Sequence, residues 1–175
     1  MKVKELVLMA LLLGIGTVLH MIPGFMSGMK PDMLLTMMFL AIILFPDKKN
    51  VLVVAIATGI LSALTTGFPG GQVPNIIDKL VTAFAVLGLY HGLKRFKLTA
   101  VTASVLTILG TLISGTVFLI SALLIVGLPG GATFMPLFIA VVLPATAMNT
   151  VLMVILFPIV QTMMKRSNFR FGFTD

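Results

Sequence analysis

The stretch Lys30-Pro-Asp-Met-Leu-Leu-Thr-Met-Met-Phe-Leu-Ala-Ile-Ile-Leu-Phe-Pro-Asp-Lys-Lys-Asn50 decides the fold. From Met33 to Phe45 it is apolar except for Thr36. Pro31 suits the first turn of a helix, where its missing N–H costs nothing. Pro46 ends the run, because proline breaks a helix interior. The predicted helix is about 21 Å long at 1.5 Å per residue, shorter than the roughly 30 Å hydrocarbon core of a bilayer. Its Lys30 end is therefore expected below the membrane surface. The preceding loop should dip into the bundle, where protein or a water-filled cavity must satisfy the backbone. At the other end, Asp47-Lys-Lys-Asn50 makes a polar turn with two cations.

The same alternation of apolar run and polar or Gly/Pro-rich break extends along the whole chain. Apolar segments are expected at about Glu5–Ile22, Pro31–Phe45, Val51–Thr66, Asn75–Leu93, Leu98–Val126 and Pro136–Met164. When the breaks and ends are assigned alternately to two sides, one side receives Lys2, Lys4, Lys48, Lys49, Lys94, Arg95, Lys97, Lys165, Arg166 and Arg170. The other receives only Lys30 and Lys79. Cytoplasmic loops hold the excess of Lys and Arg. The expectation is an all-α membrane protein with six transmembrane helices, both termini cytoplasmic, and a single domain over residues 1–175. Lys2 and Lys4 before an apolar run resemble a signal peptide, but no convincing small-residue cleavage site follows. The segment reads as a retained first helix.

Composition agrees. The chain has 175 residues, 59% of them hydrophobic and 10% charged, with a mean hydropathy of +1.19. A soluble domain of this size could not bury so much apolar surface. The formal charge of +7 would point to nucleic acid in a soluble protein; here the one-sided cations account for it, and no nucleic-acid partner is expected. Cysteine is absent, which excludes disulfides and thiolate metal sites. His20 and His91 fall on opposite expected sides, so no metal site is read, and no cofactor.

The Gly/Pro-rich loops all fall on the expected outer side: Gly24–Asp32, Gly67–Pro74 and Gly127–Pro136. Two of them carry Pro-Gly-Gly, at Pro69–Gly71 and Pro129–Gly131, either as reused turn residues or as the trace of a repeat. Asp32 and Asp78 are expected in the first turns of outer-facing helices, each beside a lysine, Lys30 and Lys79. One reading is a carboxylate favoured by the helix dipole beside a snorkelling lysine. The other is a zwitterion site, in which Lys and free N–H groups hold a carboxylate and Asp holds an ammonium. Gln72 and Asn75 add amides nearby, and Asn75 is either a helix N-cap or a ligand contact. Asn149, the strongly polar residue deep in the last segment, is either an interhelical hydrogen-bond partner or a ligand contact. Pro144 and Pro158 are expected to kink that segment.

Methionine is abundant, at 13 residues. Met21, Met26, Met29, Met33, Met37 and Met38 cluster around the second helix and its loop. They either pack the core or line a pocket for a flat aromatic group. Ala10-Leu-Leu-Leu-Gly14, continued by Gly16, is a small-xxx-small pattern. It serves either packing within the bundle or docking onto another subunit. No Walker motif, His-Glu-x-x-His or Gly-x-Ser-x-Gly is present. No carboxylates are paired within the expected spans, which argues against an enzyme and a cation-driven pump.

Gly28-Met-Lys-Pro-Asp-Met-Leu-Leu35, Met37-Met38-Phe39, Ser62-Ala-Leu-Thr-Thr66 with Phe68-Pro69, and Gln72, Pro74-Asn75 and Ile77-Asp78-Lys79 resemble the bacterial tryptophan transport protein TrpP family. That family is similar to substrate-binding S-components of energy-coupling factor (ECF) transporters. The resemblance runs over nearly the whole chain. It implies a six-helix S-component-like bundle whose outward pocket is closed by the first, third and fifth loops. It implies a membrane T-component and two ATPases as partners, and L-tryptophan as ligand. It also implies that the first helix meets the T-component through a small-residue surface, which Ala10 and Gly14 match with glycine in place of the second alanine. With tryptophan as ligand, the residues themselves suggest Lys30 or Lys79 for the carboxylate and Asp32 or Asp78 for the ammonium. Gln72 or Asn149 would meet the indole N–H, with Met29, Met33 and phenylalanines against the ring. The residues alone support only a small zwitterion with an apolar or aromatic part. A stand-alone secondary carrier or channel for aromatic amino acids, and an S-component for a vitamin, remain the alternatives.

Overall fold

A helix that is hydrophobic on every side must be covered on every side. In the computed structural model, which describes residues 2–21, 32–93 and 97–166, the second helix is the central one. α1 (Val3–His20), α2 (Met33–Leu44), α3 (Lys48–Leu64), α4 (Gln72–Gly92) and α5 (Ala100–Ile125) follow in order. A 3₁₀ turn (Pro129–Gly131) then leads to α6 (Phe134–Leu137), a π-helical turn (Phe138–Val142) and α7 (Leu143–Arg166). Every residue of α2 from Leu34 to Leu44 is buried, and α1, α3, α4, α5 and α7 all pack on it. No strand occurs among the described residues.

Among the described residues, four helical stretches are long and apolar enough to cross a membrane: Val3–His20, Gln72–Gly92, Ala100–Ile125 and the continuous Phe134–Met164. Large apolar side chains stand exposed on them, among them Val7, Leu11, Ile15, Leu124 and Val151. Contiguous exposed apolar surface on this scale suits lipid and not water.

Several boundaries depart from the sequence reading. Asp32 is the N-cap of α2, so the helix begins at Met33 and is about 18 Å long at 1.5 Å per residue. α4 begins at Gln72, with Gly71 as its N-cap, and Asn75 is therefore one turn inside the helix. The expected irregularity at Pro144 takes the form of the π turn just before it. Pro144 has no N–H to donate, and its ring would crowd the Ala140 carbonyl four residues back. The widened turn relieves that crowding. Pro158 lies inside α7.

The small residues of α1 divide by face. Ala10 and Gly14 are exposed, and a Cβ on Gly14 would meet nothing within 4 Å. Packing within the bundle is thus not their role. Gly16 has that role, since a Cβ there would come within 3.0 Å of Met37 and 3.1 Å of the Leu34 Cα. At the opposite end of the bundle from the cavity described next, Glu5 accepts from the Lys2 N–H and from the Asn50 amide, both at 3.2 Å. This ties the start of α1 to the start of α3.

Candidate functional site

The ends of α1 and α3 and the starts of α2, α4 and α6 meet at one end of the bundle. A cavity of about 600 Å³ opens there, within the usual range for small-molecule sites. His20, Asp32, Ser62, Thr66, Phe68, Asn75, Asp78, Lys79, Thr111, Ser114, Phe118 and Asn149 contribute to its wall, with apolar residues of the π turn opposite.

The polar part of the wall is built around Lys79. Its ammonium donates to Asp78 Oδ2 at 2.7 Å, to Asp32 Oδ2 at 3.3 Å and to Ser114 Oγ at 3.3 Å. Lys79 and Asp78 are almost wholly buried, their side chains 3% and 1% exposed, whereas the Asp32 side chain is 25% exposed. Asp78 also accepts from Ser114 Oγ and Thr82 Oγ1, each at 2.8 Å. Its three hydrogen-bond partners, Lys79, Ser114 and Thr82, can all donate to it. Asp32 caps α2 by accepting from the Leu35 N–H at 2.9 Å. Its own N–H donates to Asn149 Oδ1 at 2.8 Å, and His20 Nδ1 lies 3.4 Å from Asp32 Oδ1. Asn149, wholly buried, uses its Nδ2 on Thr111 Oγ1 at 3.4 Å. Charges without partners would not survive at this depth; here each is met by an opposite charge or a hydroxyl.

The apolar part is aromatic. Phe68, in the loop after α3, and Phe118, on α5, meet edge to face with ring centroids 5.1 Å apart. A flat ring placed beside this pair would find both an edge and a face.

The expected site residues separate clearly. Asp32, Asp78, Lys79, Asn75 and Asn149 all reach the cavity wall. Lys30 and Met29 lie outside the described residues. Gln72 is exposed at the start of α4 and does not line the cavity, nor does Met33 at the start of α2. No methionine lines it among the described residues; Met37 and Met38 belong to the core, and Met21 is exposed. Of the two readings of the methionines, core packing holds for Met37 and Met38, Met26 and Met29 lie outside the described residues, and the aromatic side chain in the described wall is phenylalanine. Asp78 lies in the second turn of α4 and not the first. Lys79 does not snorkel but is buried and paired. Asn75 is no N-cap; its amide donates to the Gly71 carbonyl at 2.8 Å from within the helix. Asp32 and Asp78, each expected beside its own neighbouring lysine, instead share Lys79. His20, Thr111, Ser114 and Ser62 were not anticipated. Their only sequence signal is a polar side chain in an apolar helix, which the commoner bond to a carbonyl one turn back equally explains.

A family model described as the tryptophan transporter TrpP matches residues 2–165. A probable tryptophan transport protein of Bacillus subtilis strain 168 is 59% identical over 170 residues, covering 97% of both chains. Proteins described in the same words from Clostridium acetobutylicum and Clostridium perfringens are 45% and 39% identical, each covering 94% of this chain and 96% and 95% of their own. No solved structure matches the chain significantly. Four apolar helices long enough to span a bilayer, and bacterial relatives aligned over nearly the full length, make this a multi-pass bacterial membrane protein that belongs to the TrpP tryptophan transporter family.

Proposed function

We propose that this protein captures L-tryptophan at the outer face of the membrane and passes it inward as the substrate-binding component of an ECF-type transporter. One observation carries the reading: a single cavity joins a buried cluster of one lysine and two carboxylates to an aromatic pair. A zwitterion with a flat ring needs both parts. In this reading Asp78 and Ser114 fix the Lys79 ammonium, and its longer contact to Asp32 is the one a substrate carboxylate displaces. Asp32, the more exposed carboxylate, then meets the substrate ammonium, with the ring against Phe68 and Phe118. The family and the names of the relatives support tryptophan as the ligand.

Six helical rods span the membrane in this reading, with α6, the π turn and α7 forming the last. Both termini are cytoplasmic, and the cavity faces outward. The ten-to-two distribution of Lys and Arg supports this orientation. One of the two exceptions, Lys79, is held inside the bundle by Asp78 and Asp32 and so says nothing against it. The outward, non-interlocking face of Ala10 and Gly14 supports docking of a T-component there, with two ATPases supplying the energy that this chain cannot.

Calorimetric titration of L-tryptophan into detergent-purified protein, with a vitamin panel as control, tests the ligand. One-to-one binding that weakens by an order of magnitude or more in Asp32→Asn is expected; binding of a vitamin and not of tryptophan would discard the substrate. The carboxylate pair beside His20 favours a second reading, an ion-coupled carrier acting alone. Uptake into cells lacking every T-component, abolished by an uncoupler, would establish that reading and remove the ECF one.

A further inference from the structure

Four hydroxyl side chains line the cavity: Ser62, Thr66, Thr111 and Ser114. Hydrogen bonds occupy three of them. Thr66 Oγ1 accepts from the Phe68 N–H, Thr111 Oγ1 accepts from Asn149, and Ser114 bridges Asp78 and Lys79. Ser62 is different. Its side chain is 3% exposed, and its Oγ has no hydrogen-bond partner among the described residues. A buried hydroxyl left in this state costs free energy, and native structures satisfy such groups. The helical remedy is a bond to the carbonyl one turn back, which Thr65 makes to Leu61 in the same turn of the chain at 2.7 Å. Ser62 does not take it.

The position of Ser62 limits what can satisfy it. Gly59 packs against α4, where a Cβ would lie 3.7 Å from Lys79 Cβ. Ser62 follows three residues later on the same helical face, about 4.5 Å further along the axis at 1.5 Å per residue. Thr66 and Phe68 follow beyond it. The hydroxyl thus stands between the level of the charged cluster and that of the aromatic pair. A ligand with its ammonium and carboxylate at Lys79 and its ring at Phe68 and Phe118 passes Ser62 with the near half of the ring.

We infer that Ser62 Oγ accepts the ring N–H of the substrate and is the residue that selects an indole over a ring without a donor. This rests on the reading of the cavity as a tryptophan site and adds to it the group that reads the heteroatom. Of the two amides expected for this contact, Gln72 lies outside the cavity, and Asn149 Oδ1 already accepts from the Asp32 N–H, whereas Ser62 Oγ has no hydrogen bond among the described residues. A site with a polar group placed for a substrate donor rejects an analogue lacking that donor, because the group is then left buried and unsatisfied.

The test compares L-tryptophan with its benzothiophene analogue, in which sulfur replaces the ring N–H with nearly the same shape. Both are titrated into detergent-purified wild-type and Ser62→Ala protein. Wild type is expected to prefer tryptophan by about tenfold or more, as loss of one buried hydrogen bond implies. In Ser62→Ala the preference should fall to within about twofold of unity, through weaker tryptophan binding with little change for the analogue. Equal binding of the two ligands by wild type overturns the assignment without any variant. So does an undiminished preference in Ser62→Ala, and in Ser62→Gly should the alanine variant not fold. Absence of tryptophan binding to wild type is a separate result: it overturns the underlying reading of the site, and the assignment with it.

Discussion

Lys79 Nζ lies 2.7 Å from Asp78 Oδ2 and 3.3 Å from Asp32 Oδ2, so a single ammonium joins α4 to the N-terminus of α2 across 47 residues of chain. The contact is structural as well as chemical. It closes the gap between the central helix and the helix that carries the charged half of the site, and Ser114 brings α5 into the same knot.

Removing that ammonium should therefore cost more than a ligand contact. Lys79→Met leaves two carboxylates near each other with their countercharge gone. Breaking a buried pair by deleting one partner costs about 3–5 kcal/mol. Thermal unfolding in detergent should fall clearly, and tryptophan binding should vanish. Asp78→Asn keeps Lys79 beside Asp32 and should be the milder change. A Lys79→Met protein with wild-type melting temperature and affinity would show that the cluster is neither a tie nor a site.

The aromatic pair makes a narrower prediction. Phe118 lines the cavity and meets Phe68 edge to face. Phe118→Ala removes a ring surface that contributes about 0.5–1.5 kcal/mol from geometry alone, and more through lost apolar burial. Tryptophan affinity should drop by about tenfold or more. Phe84→Ala is the control, since Phe84 is exposed on α4 and outside the cavity wall. Equal losses in the two variants would place the ring elsewhere.

How much of this was legible in the chain depends on the range of the interaction. Apolar runs and their Gly/Pro breaks are local, and they located all the helices to within a few residues. Asp32, Asp78 and Lys79 stood out because a charge in an apolar chain is conspicuous on its own. What joins them was hidden: the partners of Lys79 include a residue next in sequence, one 47 residues away and one 35 away. No periodicity encodes such a meeting. The sequence left two roles open for methionine for a related reason. Its polarizable side chain fills core gaps as readily as it lines pockets, and only the packing of α2 on five helices shows that Met37 and Met38 do the former. The π turn was foreshadowed by Pro144 but not its form, because a proline within a helix permits several distortions.

The π turn also sets a packing condition on α5. A Cβ on Gly115 would collide with the side chain of Val142, the last residue of that turn, and both residues line the cavity. Valine is stiff about χ1 and cannot swing aside. Gly115→Ala should destabilise the protein by about 1–3 kcal/mol, the usual cost of overpacking, and weaken tryptophan binding. Shortening the opposing side chain should restore much of both, so Gly115→Ala with Val142→Ala should be better than Gly115→Ala alone. A double-mutant cycle on melting temperature and affinity measures the coupling; strictly additive losses would mean that the two residues do not press on each other.

Substitutions on the outward face of α1 should separate binding from transport. Ala10 and Gly14 are exposed, and Gly14 has open space where a side chain would grow. Gly14→Leu should therefore leave the fold intact and tryptophan binding within about twofold of wild type, since surface changes away from packed features cost little. If a T-component docks on this face through close helix approach, the same leucine should hold the helices apart and abolish uptake in cells that contain the complete transporter. Ala10→Leu should act alike, and Val101→Leu, on an exposed part of α5, should not. The measurement pairs calorimetry on the purified variants with radiolabelled uptake by cells. Normal uptake by both α1 variants would remove this face from the docking surface, while loss of binding as well as uptake would mean that the substitution had disturbed the bundle itself.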